Sequence, residues 1–298
     1  MNIAFLGSNN DFSSTLFNLV VQQLPIASLI MPGVKVPQRR ATPGSIEIQT
    51  QIKSTLTTEQ LAQQAHIPID YQGGKTSSRL ADYIAAKNID ILIVACYPYL
   101  ISEVVVAAST FGAINIHTSL LPKYRGPTPI FWQLRNNESR IGVSIHLINK
   151  RFDAGDILIQ KLVNVPASYT CPEIESILAL ATIDMLLNVL MSKKTLQRYI
   201  TNGVLQDEKH SSYFTQPQSP SDFYLSLDWP AAHAFRFMRG TQHWQKPYPI
   251  IVNNEKTLLS TALSFSNNPA PKLIRYEKMN IVNIGFKTGN LRATYLPQ

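Results

Sequence analysis

Over its first two hundred residues the chain alternates short apolar runs with amphipathic ones, and this alternation restricts the fold more than any other feature. Residues 2–6, 26–31 and 89–96 read as strands, and residues 12–23, 58–64 and 77–86 as helices. The 89–96 run is apolar apart from Asp90, as expected of a strand covered on both faces. Strands separated by helices in this way build a mostly parallel, Rossmann-like sheet with helices on either side. In that α/β architecture a ligand sits beyond the carboxyl ends of the strands. A chain of 298 residues has room for two domains at ~150 residues each.

Within this frame the segment 111–156 carries the chemistry. It opens with the strand Ala113-Ile114-Asn115-Ile116-His117. Strand alternation puts Asn115 and His117 on one face and Ile114 and Ile116 on the other. A polar pair on an otherwise apolar strand is costly to bury without partners or work to do. A Pro- and Gly-punctuated loop follows at 121–129, then a helix, an apolar strand at 141–148, and Asp153-Ala154-Gly155-Asp156. Acyl transfer to an amine uses an amide, an imidazole and a carboxylate. The amide donates to the oxygen that turns negative in the tetrahedral intermediate. The imidazole takes the proton lost by the attacking amine, and a carboxylate beside it fixes its tautomer and favours its charged form. The plainer alternative is a loop cap or a pair of satisfied core groups.

The wider motif bears on that choice. The run Asn115-Ile116-His117-Thr118-Ser119-Leu120-Leu121-Pro122-Lys123-Tyr124-Arg125-Gly126, followed by Phe152-Asp153-Ala154-Gly155-Asp156, resembles the 10-formyltetrahydrofolate-dependent formyltransferases. Their pattern is N-I-H-P-S-L-L-P-x-Y-R-G and then L-D-x-G-D. The departures are Thr118 for the family's Pro and Phe152 for its Leu. The resemblance implies Asn115, His117 and Asp153 as the catalytic residues and 10-formyltetrahydrofolate as co-substrate, with no metal. It also implies a folate slot at Cys96-Tyr97-Pro98-Tyr99-Leu100-Ile101, lined by Pro98, Leu100 and Ile101 and closed by the backbone of 150–152 at Phe152. Ser119, Leu120, Leu121 and Pro122 fall in the same implied co-substrate region. Tyr97 and Tyr99 read as packing residues. Arg125, beside Gly126, either grips an anionic acceptor or braces its own loop.

The acceptor is less sharply defined. In the tRNA-directed members a basic loop after the second strand reaches the acceptor stem. Residues 32–40, with Arg39 and Arg40, match it in place and sign, though with few basic residues. Gly7-Ser8-Asn9-Asn10 departs from the family's Gly-Thr-Pro opening, and it is no G-x-G-x-x-G, so a nicotinamide dehydrogenase is excluded. The net charge of +8 suggests an anionic partner such as RNA, a phosphorylated substrate or polyglutamylated folate, or simply serves solubility. Cys96 and Cys171 lie far apart with no C-x-x-C spacing, which reads as two buried thiols in a reducing compartment. No apolar run reaches the ~18 residues of a membrane span, and no signal peptide opens the chain, so the expected location is cytoplasmic.

A helix beginning at Cys171-Pro172 fades at Ser192-Lys193-Lys194, and the polar run 206–220 reads as a linker. The expected division is therefore a catalytic domain at 1–205 and a smaller one at 206–298. The second opens with Leu227-Asp228-Trp229 and a helix at 231–240. Five short strands follow at 249–252, 258–265, 272–277, 281–286 and 291–295, suggesting a small open β-barrel of oligonucleotide-binding (OB-like) type. Arg236, Arg239 and Trp244 resemble the family here in part. Residues 201–298 hold ten Lys/Arg against six Asp/Glu, modest for an RNA platform in which each phosphate contact wants its own cation. The expectation is formyl transfer from folate to an amine, first of all methionyl-tRNA. An amino-sugar nucleotide or other small amine is the alternative, and a non-catalytic RNA- or folate-binding relative is the reading from another class.

Overall fold

The computed structural model describes residues 1–33, 56–72, 78–268 and 274–297. Compact grouping of the backbone gives two units: Met1–Arg125 with Gly142–Lys161 and Glu175–Ser211, and residues 126–141 with 162–174 and 212–298.

The first unit is built on a seven-stranded sheet. In chain order its elements are β1 (Ile3–Leu6), α1 (Asp11–Val21), β2 (Ile26–Pro32), α2 (Thr58–Gln64), β3 (Ile69–Gln72), α3 (Ser78–Ala86), β4 (Ile91–Ala95), α4 (Glu103–Ala107) and β5 (Ala113–His117). Beyond α5 (Pro129–Arg135), which belongs to the second unit, come β6 (Arg140–Leu147), β7 (Ile157–Asn164), α6 (Cys171–Val189) and α7 (Lys193–Thr201). The strand order is β3-β2-β1-β4-β5-β6-β7. The first five strands pair in parallel, and β6 lies antiparallel to β5. The mostly parallel α/β sheet read from the sequence is therefore what the chain forms. Every residue of β1 and β4 is buried, as the unbroken apolar character of those strands requires. His117 closes β5 at its carboxyl end, where the architecture puts a ligand.

The second unit carries α8 (Ala231–Thr241) and an antiparallel sheet of β8 (Tyr248–Val252), β9 (Glu255–Ser266), β10 (Ile274–Tyr276), β11 (Ile281–Gly285) and β12 (Asn290–Tyr295). Its order, β10-β11-β12-β9-β8, leaves β10 and β8 as edges of a curled half-barrel. The long β9 slips register against β12 at two points, and such bulges bend a strand. Asn253 and Asn254 both take left-handed backbone in the two-residue turn from β8 to β9, the conformation that a tight hairpin demands. Helix α8 packs on this sheet with Phe235 against Phe265 and Phe237 against Tyr248, and Tyr248 Oη is tied to Thr241.

The differences from expectation are local. The edge strand β7 is largely exposed and lacks a continuous apolar run, so periodicity missed it. Helix α7 starts where the apolar pattern fades, capped by Ser192 accepting from Thr195 N–H, and buries only Leu196. Of the two thiols expected to be buried, only Cys171 is. Cys96 is exposed, because the chain turns through a left-handed residue (φ 55°) as it leaves β4. Among the described residues no single helix is long and apolar enough to cross a membrane.

Candidate active site

The end of β5 presents Asn115 and His117 on one face, and β6 runs beside it with Asn115 opposite His146 and His117 opposite Ser144. The polar i, i+2 pair of β5 thus meets a second polar pair on its neighbour, a feature that the sequence reading passed over. Asp153 reaches the same point from the turn between β6 and β7. Its Oδ1 lies 3.5 Å from His117 Nδ1, 3.3 Å from Asn115 Nδ2 and 3.8 Å from His146 Nε2. The three residues that the motif implied as catalytic are therefore brought together, and His146 joins them.

Two backbone carbonyls set the proton positions. His117 Nε2 lies 2.8 Å from Tyr124 O, and a carbonyl can only accept, so Nε2 carries the proton and donates. Nδ1 is then the atom that faces Asp153 and is free to exchange a proton. Tyr124, and not Asp153, fixes the tautomer. In the same way His146 Nδ1 donates to Leu147 O at 2.8 Å, leaving Nε2 as an acceptor for Asn115 Nδ2–H at 3.0 Å. Burial holds the His146 imidazole well below its ordinary basicity, so it stays neutral and keeps that lone pair. Asn115 is thereby locked with its N–H2 toward the carboxylate and the cleft.

Local backbone makes this convergence. Tyr124 and Asp153 both take left-handed conformations, with φ of 59° and 52°, at roughly 1–2 kcal/mol each for a residue bearing Cβ. Gly155 is required by close approach, because a Cβ there would stand 1.8 Å from Leu147 O. Gly126 combines φ of 112° with a backbone carbonyl, Phe214 O, that a Cβ would meet at 2.0 Å.

Beside the cluster lies a solvent-open cleft. Leu100, Ile101 and Phe152, all implied as co-substrate contacts, line it together with Tyr97, Tyr99 and Arg151. Tyr97 and Tyr99 pack edge to face at 5.7 Å, as packing residues would, yet both rings also form the wall. Tyr97 Oη is buried with no hydrogen-bond partner among the described residues, and burial pushes its pKa up to about 12. Pro98 is exposed and adds no wall. The loop residues are knitted inward instead. Ser119 Oγ donates to Lys123 O, Leu121 N–H donates to Ser144 Oγ, and Gln160 Nε2 donates to Leu121 O. Leu120 packs over Gly142, and the Leu121–Pro122 peptide is cis. Arg125 is buried and donates to Gln206 and Glu208. Arg39 and Arg40 lie outside the described residues. Among the described residues no group of three or more His, Cys, Asp or Glu is arranged to hold a metal ion.

A strand-end amide, an imidazole and a carboxylate beside a cleft at the carboxyl edge of a parallel sheet define an acyl-transfer enzyme. The sequence profile of the family described as Formyl transferase matches residues 1–190, and the chain belongs to that family of formyltransferases. Among curated proteins it is 26% identical over 297 residues to the methionyl-tRNA formyltransferase of Thermotoga maritima, covering 99% of this chain and 90% of that one. In fold it is similar to WlaRD, a sugar 3N-formyl transferase, with a TM-score of 0.62 at 18% identity, covering 100% of this chain and 98% of that one. It is also similar to the N-formyltransferase of Helicobacter canadensis, solved with folinic acid and dTDP-3-aminofucose. There the TM-score is 0.63 at 16% identity, covering 99% and 100% of the two chains.

Proposed function

We propose that this formyltransferase moves the formyl group of 10-formyltetrahydrofolate to a primary amine by direct transfer. The observation that carries this reading is the convergence of Asn115, His117 and Asp153 within 3.5 Å of one carboxylate oxygen at the mouth of the cleft. Bound 10-formyltetrahydrofolate supplies an activated formyl carbon on a nitrogen leaving group. The cleft suits a flat heteroaromatic ring, for which Ile101 and Phe152 offer apolar walls. Asn115 Nδ2, exchanging its 3.3 Å contact with Asp153 Oδ1 for the substrate, donates to the oxygen that becomes negative as the new C–N bond forms. His117 receives the amine's proton at Nδ1 and returns it to the departing nitrogen as the old C–N bond breaks. Asp153, against the same ring nitrogen, stabilises the imidazolium between those two transfers.

For the acceptor, the first reading is methionyl-tRNA. The similarity to the Thermotoga enzyme runs through nearly the whole chain and so includes the second unit. An amino group on a sugar nucleotide is the second reading, and a specific observation favours it. Three arginines of the second unit that could face phosphates are engaged internally: Arg135 donates to Tyr224 O, Arg236 to Glu138 O and Arg239 to Ser168 O. Both readings predict a protein of the cytoplasm, where folate and acceptor meet. The test is tetrahydrofolate release from 10-formyltetrahydrofolate with initiator methionyl-tRNA or a dTDP-linked amino sugar, over a range of salt. Fast release with tRNA that falls steeply with salt supports the first reading. Release with the amino sugar alone supports the second, and release with neither acceptor overturns both.

A further inference from the structure

Gln206 stands at the start of a polar stretch that reads as a linker, yet it is only 4% exposed, and its amide is used on every side. Nε2 donates to Asp153 O at 2.9 Å and to Gly155 O at 2.7 Å. Oε1 accepts from Arg125 Nε at 3.1 Å and from Arg125 Nη2 at 2.7 Å. Two donated and two accepted bonds exhaust what a primary amide can make. Glu208, two residues on, takes the other edge of Arg125 at 3.0 and 3.1 Å and also binds Arg151, a wall of the cleft.

The two backbones that meet at this amide are those on which the reactive pair depends. One is the turn that carries Asp153 in its left-handed conformation. The other is the Tyr124–Arg125 peptide, whose Tyr124 carbonyl holds His117 Nε2. We propose that Gln206 is a positioning residue for formyl transfer, a strut from the Asp153 turn to Arg125 that sets the distance between His117 and Asp153. The chemistry of the position admits few substitutes. Two carbonyls on one side call for a double donor, and a guanidinium on the other calls for an acceptor. Glutamate meets only the second need and a lysine only the first. Methionine fills the volume and meets neither. Displacement of a reacting group by ~1 Å costs as much as 10²-fold in rate, so a strut of this kind acts on turnover and not on co-substrate affinity.

The catalytic consequence rests on the formyl-transfer reading, whereas the strut itself does not, and the experiment separates them. Full-length wild type, Q206E and Q206M are compared by thermal melting, by hydrogen exchange of the segment 147–157, and by kcat and KM for 10-formyltetrahydrofolate with whichever acceptor turns over. Q206E keeps an acceptor for Arg125 but leaves Asp153 O and Gly155 O without a donor, so it should melt below wild type, though by less than a variant that also abandons Arg125. It also turns an oxygen toward Asp153 O and Gly155 O, so exchange in 147–157 should quicken about tenfold and kcat should fall about 10- to 100-fold at unchanged KM. Q206M should lose kcat to a similar degree without adding a charge, which separates lost donors from a Coulomb effect of the new carboxylate. It should also melt lower than Q206E. If Q206M does not fold, Q206E carries the test. Unchanged exchange in Q206E overturns the proposal, as does a kcat that merely follows the melting temperature. Quickened exchange in a protein whose wild type forms no tetrahydrofolate with any amine upholds the strut and overturns the reaction.

Discussion

His146 and His233 are both buried in their own units, and in both burial pushes the imidazole well below its ordinary basicity, to about 4 for His233. Each is anchored by a backbone carbonyl: His146 Nδ1 donates to Leu147 O, and His233 Nε2 donates to Leu134 O at 3.0 Å. There the likeness ends. The ring of His233 stacks on Trp229 with centroids 3.8 Å apart, and that indole also carries the Arg135 guanidinium 4.6 Å from its centre. The second nitrogen of His146 instead accepts a hydrogen bond from Asn115, whose amide also meets a carboxylate at the mouth of a cleft. Burial and a shifted pKa thus mark a tightly packed imidazole in either place. Only the convergence of donors and acceptors on an accessible point marks chemistry.

The sharpest test of that contrast begins beside His146. His117→Ala removes the group that exchanges the proton and should lower kcat for formyl transfer about 10³-fold. Co-substrate affinity, followed by ligand titration, should change only a few-fold; a variant that turns over at the wild-type rate would sink the assignment. The His146→Leu variant should lose about 10- to 100-fold in kcat, because the Asn115 amide then loses its shorter anchor and keeps only the contact with Asp153. His233→Leu should leave kcat within twofold while destabilising the second unit by about 1–3 kcal/mol, since the hydrogen bond to Leu134 O and the stack on Trp229 are both lost. Equal loss of kcat in the two variants would break the contrast. Between these effects lies Gly155→Ala. Its methyl group must displace the Leu147 carbonyl, and the turn bearing Asp153 should lose about 1–3 kcal/mol with kcat falling alongside, as read by melting and turnover together.

Much of this was legible in the chain. The strand–helix alternation foretold the parallel sheet because β1 and β4 are buried on both faces and carry no polar residue between their ends. The order of Asn115, His117 and Asp153 in one long motif foretold their meeting. His146 went unread although it carries the same signal as Asn115 and His117. In β6, Ser144 and His146 alternate with Val143 and Ile145 as the polar pair does on β5, but register across two strands is not written in either strand alone. Gln206 was illegible for a different reason. A Gln in a polar stretch looks like a solvated linker, and its four bonds reach residues more than fifty positions away in sequence. Arg125, read as either a grip for an acceptor or a brace for its loop, is held by those same distant partners. Composition near a residue reports its neighbours along the chain, and here the partners that matter are brought close only by the fold.

The smallest effect separates the two histidines by pH. The unfolded chain binds a proton at His233 near the ordinary value of 6.5, whereas the folded second unit resists it down to about 4. The unfolded state therefore holds more protons in that window, and stability must fall as pH drops through it. Above 6.5 neither state is charged and the contribution is flat. His146 contributes with the same sign in the first unit, so wild type should soften at both places between pH 7 and pH 5. The His233→Leu variant, weaker at pH 7, should show a shallower decline of the second unit over that range, by on the order of 1 kcal/mol, in denaturant titrations. Its kcat should keep the wild-type pH profile, because nothing near His233 takes part in proton transfer. A pH profile that moved with His233→Leu would place the aromatic cluster in the reaction and dissolve the distinction between packed and reactive imidazoles.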